Sequence, residues 1–250
     1  SLARPNYSSL VPYTHISPSN EQISIGNPNL KATYAHNFDL SAEYYFKSIG
    51  LFSAGLFYKN LKNFIYKYTN ISYTSNDFIA DFPDISNPIP NDKDWTYNEF
   101  RNGKGVDVFG LELALQHKLD FLPGAFLKNF AVYLNYTYTW SQTKGIWDSK
   151  GNERKNISLP RTAPHMFNAS LSWENKKFSA RASLNYTSDY IDALGGEAFE
   201  DSYYDKQLFL DMNASFRITP QFRVFAEVNN LTNQPLRYYQ GEKDRVMQLE

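Results

Sequence analysis

Phe130-Ala131-Val132-Tyr133-Leu134-Asn135-Tyr136-Thr137-Tyr138-Thr139-Trp140-Ser141 is the stretch on which the fold turns. One parity holds Phe130, Val132, Leu134, Tyr136, Tyr138 and Trp140; the other holds Tyr133, Asn135, Thr137, Thr139 and Ser141. A strand sends successive side chains to opposite faces, so this segment is a ribbon with one apolar side and one wet side. The same two-residue rhythm returns through Phe38–Phe46, Phe52–Tyr58, Phe109–Leu115, Phe167–Trp173, Phe178–Tyr186, Leu208–Phe216 and Phe222–Val228. That predicts about eight strands.

The connections alternate in length. Short ones fall at Ser48-Ile49-Gly50, Leu122-Pro123-Gly124, Asn175-Lys176-Lys177 and Thr219-Pro220-Gln221. Long polar ones run from roughly Tyr68 to Gly105, Gln142 to Thr162, Ser188 to Tyr204 and Leu231 to Arg245. Connections in a compact soluble domain run about 4–6 residues, whereas an outer-membrane barrel has short turns on one rim and long loops on the other. A soluble sandwich also alternates, so aromatic placement carries more weight. Near the short turns the apolar parity ends in Phe46, Phe52, Phe130, Trp173, Phe178, Phe216 and Phe222; toward the long loops it ends in Tyr58, Tyr138, Trp140 and Tyr186. Leu, Val, Ala and Met fill the interval. Two ring girdles around an aliphatic band fit a bilayer, because amphipathic rings favour the headgroup level.

Composition agrees. Of 250 residues 17% are aromatic, and a net charge of -1 gives no reason to expect nucleic acid. The mean hydropathy of -0.53 and the lack of any run near 18 apolar residues exclude a spanning helix. Cys is absent, which removes disulfides and thiolate metal sites. Asn-x-Ser/Thr triplets recur at Asn135, Asn168, Asn185 and Asn213. A hydrated parity rich in Asn, Ser and Thr generates them without any glycosylation.

Taken in order, Arg4-Pro5-Asn6-Tyr7, Gly26-Asn27-Pro28-Asn29-Leu30-Lys31, Phe38–Phe46, Gly55-Leu56-Phe57-Tyr58-Lys59, Gly110-Leu111-Glu112, Asn135-Tyr136-Thr137 and Asn229-Asn230-Leu231-Thr232 resemble the C-terminal barrel of a TonB-dependent outer-membrane receptor. The resemblance implies an all-β, antiparallel, up-and-down transmembrane barrel, of which 1–250 is the C-terminal part. Such barrels have about 22 strands and a plugged lumen. It further implies a plug and early strands upstream, a location in the outer membrane of a Gram-negative bacterium, and contact with its lipid. The TonB complex would act through the plug to admit a scarce small-molecule nutrient, a carbohydrate or a ferric siderophore, with no cofactor and no catalysis. Ala32-Thr33 departs from the family's usual Pro-Glu. The chain stops at Arg245–Glu250, where the family begins its closing strand, so this piece alone is expected neither to insert nor to transport.

Candidate residues fall into two groups. Asp39, Glu43, Glu112, Asn135, Arg181, Asp211, Arg217, Arg223 and Glu227 have inward parity. Their mixed charges are expected to pair across strands, with plug contact as the alternative. The long loops carry Trp95, Tyr97, Trp147, Tyr190, Tyr203, Tyr204, Tyr238 and Tyr239, a capture surface for a sugar or chelate, or else rings of the upper girdle and of loop packing. Their weak charge tilts the reading toward a carbohydrate. His15, His36, His117 and His165 lack metal-ligand spacing, His117 having the parity of an interfacial side chain. Glu197, Glu200, Asp201 and Asp205 lack the compact spacing of a calcium loop. Two rival readings stay open: a passive channel or adhesin barrel, and a soluble glycan-binding β module.

Overall fold

The computed structural model describes residues 1–47 and 49–249. Ser48, in the first of the expected short turns, and Glu250 lie outside the described residues. Among the described residues, nine strands form one antiparallel sheet: β1 (Leu2–Ala3), β2 (Thr33–Tyr45), β3 (Gly50–Lys62), β4 (Gly105–Lys118), β5 (Phe130–Lys144), β6 (His165–Glu174), β7 (Phe178–Thr187), β8 (Gln207–Arg217) and β9 (Arg223–Val228). Their order in the sheet is their order in the chain, so β2 to β9 are the eight expected strands in an up-and-down meander. The two-residue β1 pairs with Thr33 and Tyr34 at one edge.

Register fixes the facing. Ala42, Ala54, Leu113, Tyr136, Phe167, Tyr186 and Leu208 are successive cross-strand partners, all of the apolar parity. Glu43, Ser53, Ala114, Asn135, Asn168 and Asn185 form a neighbouring row of the polar parity. Phe38, Tyr58, Phe109 and Trp140 make an unbroken aromatic row toward the long loops, as the upper girdle requires. A slip of one residue anywhere would exchange the two faces. Among the described residues no second layer covers the apolar face: Leu40 is 71% exposed, and Leu56, Leu134, Leu171 and Met212 are exposed with it. A sandwich would bury this row. A wall designed for hydrocarbon leaves it bare.

The core lies elsewhere. The described residues with least exposure, Phe78, Ile23, Ile146 and Val106, sit in or beside the long connections. Those connections are not irregular, as their polarity suggests. Thr14–Ser17, Gln22–Ile25, Trp95–Asn102 and Ile65–Tyr73 make a four-stranded sheet in which Gln22–Ile25 runs parallel to Trp95–Asn102. Helix α1 (Ser75–Asp81) packs on it and opens with a reciprocal cap between Thr74 and Asp77. Together they enclose Ile23, Tyr73, Phe78, Ile89 and Trp95. A second sheet joins Tyr190–Ala193, Ser202–Tyr204, Arg237–Gln240 and Val246–Leu249. The expected closing-strand region therefore pairs with a loop strand rather than with the wall.

The Gly26–Lys31 motif staples the loop sheet to the wall. Asn27 Nδ2 donates to the Phe100 carbonyl (3.0 Å), and the Lys31 amide donates to Asn102 Oδ1 (2.8 Å). Asn102 Nδ2 in turn donates to the carbonyls of Lys31 and Asn63. A Cβ on Gly26 would meet the Val11 carbonyl oxygen at 1.9 Å, so no larger residue fits this crossing.

Candidate functional site

Ile65–Tyr73 and Trp95–Asn102 are antiparallel partners, which places Tyr66 opposite Arg101, Tyr68 opposite Glu99 and Asn70 opposite Tyr97 on one face of the loop sheet. That face lines two adjoining hollows. The first, of about 480 Å³, is walled by Tyr68, Asn70, Tyr73, Asp81, Tyr97 and Arg101, among others. The second, of about 380 Å³, is bounded by Tyr66, Tyr68, Arg101, Asn102, Trp147 and Asp148 with Gly151. Tyr68 and Arg101 line both, so they form the ridge that divides this cleft into its two hollows.

The ridge is pre-formed. The Arg101 guanidinium lies 3.5 Å from the centre of the Tyr68 ring, and its Nε donates to Glu99 at 2.8 Å. Burial disfavours the Arg101 charge, but the hydrogen bond and charge of Glu99 outweigh it and raise its pKa. Tyr73 stacks on Tyr97 at 4.8 Å and donates its hydroxyl to Asp81 at 2.7 Å. Burial raises the pKa of both phenols, and for Tyr73 the Asp81 carboxylate adds to it. Both therefore stay protonated as hydrogen-bond donors across the physiological range. Asp77 is spent on capping α1. The arrangement offers ring faces, phenolic donors, one stacked cation and one carboxylate, which suits capture of a polar solute carrying planar groups.

The eight loop rings divide. Tyr97 lines the first hollow, and Trp147, exposed, bounds the second, with Lys104 Nζ 5.7 Å from its ring centre. Trp95 is 4% exposed in the core under α1, and Tyr239 is 4% exposed, so neither offers a free ring face and both are withdrawn as capture residues. Tyr190 stacks on Tyr204, which Tyr238 meets at a tilt of 48°, and Tyr203 lies flat on Tyr239 at 5.0 Å. Those rings are the packing of the second loop sheet. Burial, followed by the nearby Asp189 and Asp205, pushes the Tyr239 phenol up to about 12. Tyr66, Tyr68, Tyr73, Asp81 and Arg101 were not singled out in the sequence, although Tyr66-Lys67-Tyr68-Thr69 carries the alternation of a strand.

The inward charges do not pair. Among the described residues no ion pair joins two of Asp39, Glu43, Glu112, Arg181, Asp211, Arg217, Arg223 and Glu227, which corrects the expectation of cross-strand salt bridges. Register is the reason. Glu112 lies between Gly55 and Thr137, Arg181 between Ser172 and Asn213, and Arg217 opposite Arg223. Asn135 lines an inward hollow with Glu43 and Glu112. Ion pairs concentrate in the loops instead. Arg154 and Asp201, both nearly buried, form a two-pronged pair between the 145–164 and 188–206 connections, and the Gly195 amide donates to the same Asp201 carboxylate. The four acids weighed as a calcium loop are all engaged: Glu197 and Glu200 in a cap, Asp201 with Arg154, Asp205 with Arg237. His117 sits edge-on between Phe46 and Phe121, an interfacial setting.

A family profile described as TonB dependent receptor-like, beta-barrel matches residues 1–231. The chain belongs to that family. Barrels of that family reside in the outer membrane of Gram-negative bacteria, which places this wall there. The iron-regulated outer membrane virulence protein of Vibrio cholerae serotype O1 is 27% identical over 216 residues, covering 85% of this chain and 29% of that protein. A variant of the ferric enterobactin receptor of Pseudomonas aeruginosa superposes with a TM-score of 0.58 at 18% identity, covering 95% of this chain and 32% of the other. The copper transporter OprC gives a TM-score of 0.60 at 15% identity, covering 96% and 30%. This family chain thus spans about a third of the length of these relatives.

Proposed function

We propose that the chain is the C-terminal part of the barrel of an energy-coupled receptor that captures a metal chelate at its loop cleft. A plug and earlier strands would lie upstream, and TonB would act through that plug. The observation that carries the reading is the Tyr68–Arg101 ridge between two hollows, built on a sheet rather than on free loops. Iron in the relatives' names favours a ferric siderophore, and nothing in them supports the carbohydrate toward which the loop composition tilts. The inward charges without an ion-pair partner among the described residues, Glu112 and Arg181 among them, are available to contact the plug, the role that pairing would have denied them.

The test uses the intact receptor as the sole uptake route in an iron-limited strain. Tyr68→Ala and Arg101→Ala should each cut growth on ferric chelates at least tenfold in half-saturating concentration, with surface abundance unchanged. Growth insensitive to both substitutions, or dependence on an oligosaccharide in place of iron, contradicts the reading.

A further inference from the structure

The connection between β4 and β5 is the longest of the short-turn rim, and it does not point away from the barrel end. It turns outward and lies against the lipid face of the wall. Gly124 makes this possible: its φ of +84° is one that L side chains rarely adopt, and it opens the single helical turn Gly124–Leu127. The turn is held from below. Trp173 Nε1, from the apolar parity of β6, donates to the Phe126 carbonyl at 2.9 Å, and Asn129 Nδ2 donates to the Ala125 carbonyl at 2.9 Å. The Phe126 ring lies 5.3 Å from Trp173 and 5.5 Å edge-on from Phe130, and Trp173 continues to Phe178 at 5.9 Å. The turn thus contributes its own ring to the lower girdle. Yet the apolar groups it carries stay uncovered: Phe121 is 69% exposed and Phe126 62%, with Leu127 exposed beside them.

Lysines lie on the turns of this rim. The Glu174 amide donates to the Asn129 carbonyl, and the Arg217 amide to the Lys177 carbonyl, so three consecutive rim turns are stitched side by side. They present Lys128, Lys176 and Lys177, all exposed, against the acids Asp120 and Glu174. Among the described residues none of these three lysines is in an ion pair. Short turns of outer-membrane barrels face the periplasm. The leaflet there is glycerophospholipid, in which the anionic headgroup is a phosphodiester such as phosphatidylglycerol. Apolar wedge and cationic rim together match one occupant.

We infer that the 119–129 turn is a phospholipid site: Phe121, Phe126 and Leu127 insert between acyl chains, and Lys128, Lys176 and Lys177 hold the phosphate of an anionic lipid. The site is complete within this chain, since β3 to β7 flank it on both sides. It stands whether the barrel is energy-coupled or passive, so its failure and that of the uptake reading are separable.

The intact receptor is reconstituted in bilayers of phosphatidylethanolamine with a minority of phosphatidylglycerol, re-extracted gently, and the retained lipid counted by mass spectrometry. The wild type should retain phosphatidylglycerol about tenfold above its bulk ratio. Lys128→Gln/Lys176→Gln/Lys177→Gln should bring that ratio to about one, and the matching triple Arg variant should preserve it. Phe126→Ser should lower retention of both lipids. Heat-modifiable gel mobility reports folding in every sample, and if the triple Gln variant fails it, Lys128→Gln alone must give a partial loss. Bulk-ratio retention by the wild type, or unchanged enrichment in a folded Gln variant, overturns the site.

Discussion

At the scale of single residues, facing is set by parity and can be tested one position at a time. Leu134 lies in the lipid row between Leu115 and Ala169, whereas its neighbour Asn135 lies between Ala114 and Asn168 on the wet side. A carboxylate among acyl chains costs on the order of 2 kcal/mol, and one facing the lumen close to nothing. Leu134→Asp should therefore reduce the folded, heat-modifiable fraction of the intact receptor severalfold, and Asn135→Asp should leave it unchanged. Gly26 is a different kind of residue, required by contact rather than by facing. With its Cβ site 1.9 Å from the Val11 carbonyl oxygen, Gly26→Ala forces a backbone shift costing about 1–3 kcal/mol. Loss of that staple should appear as faster proteolysis of the loop sheet with an intact barrel.

Elements differ in how far the chain discloses them. The wall was legible because each strand repeats its own period and its neighbour lies next in sequence, so Phe130–Trp140 needed no distant partner to be understood. The loop module was not, for three physical reasons. Its central pairing, Gln22–Ile25 with Trp95–Asn102, joins segments about seventy residues apart and is parallel. Its strands sit among Pro, Asn and Asp that read as turn. Its helix is only seven residues, visible through the Thr74/Asp77 cap alone. The candidate site suffers accordingly: Tyr97 and Trp147 stand out as rings concentrated in the long connections, Tyr68 and Arg101 only by their register. Burial of Trp95 follows from α1, which the residue pattern there does not disclose. Two loop elements carry their own tests. Removing one partner of the enclosed Arg154–Asp201 pair strands the other charge, at about 3–5 kcal/mol. Asp201→Ala should thus expose the 145–164 and 188–206 connections to protease while the wall resists. In the second loop sheet, a phenol raised to about 12 favours the folded state fully below pH 10 and loses that contribution as pH climbs from 10 toward 12. Proteolysis of this sheet should accelerate across that window, and Tyr239→Phe should flatten the dependence.

The whole molecule inverts the usual arrangement of a globular protein. Its buried side chains collect in the loops, at Phe78, Ile23 and Ile146, and at the loop end of the wall, at Val106, while its longest strands expose Leu, Phe and Tyr on one side and Asn, Ser and Glu on the other. β2 and β9 are open edges of the sheet apart from the two residues of β1. Unpaired edges cannot be satisfied in hydrocarbon, so the wall needs further strands to close. The claim beneath every other is that lipid covers the apolar parity. Spin labels placed singly at Leu113, Leu134 and Leu171, and at Glu112, Asn135 and Ser170, in the intact receptor in bilayers measure it most directly. The account predicts that labels of the first set collide chiefly with dissolved oxygen and those of the second with a water-soluble nickel chelate. Nickel access at the first set, or shielding of those labels from both relaxants by protein, would contradict it.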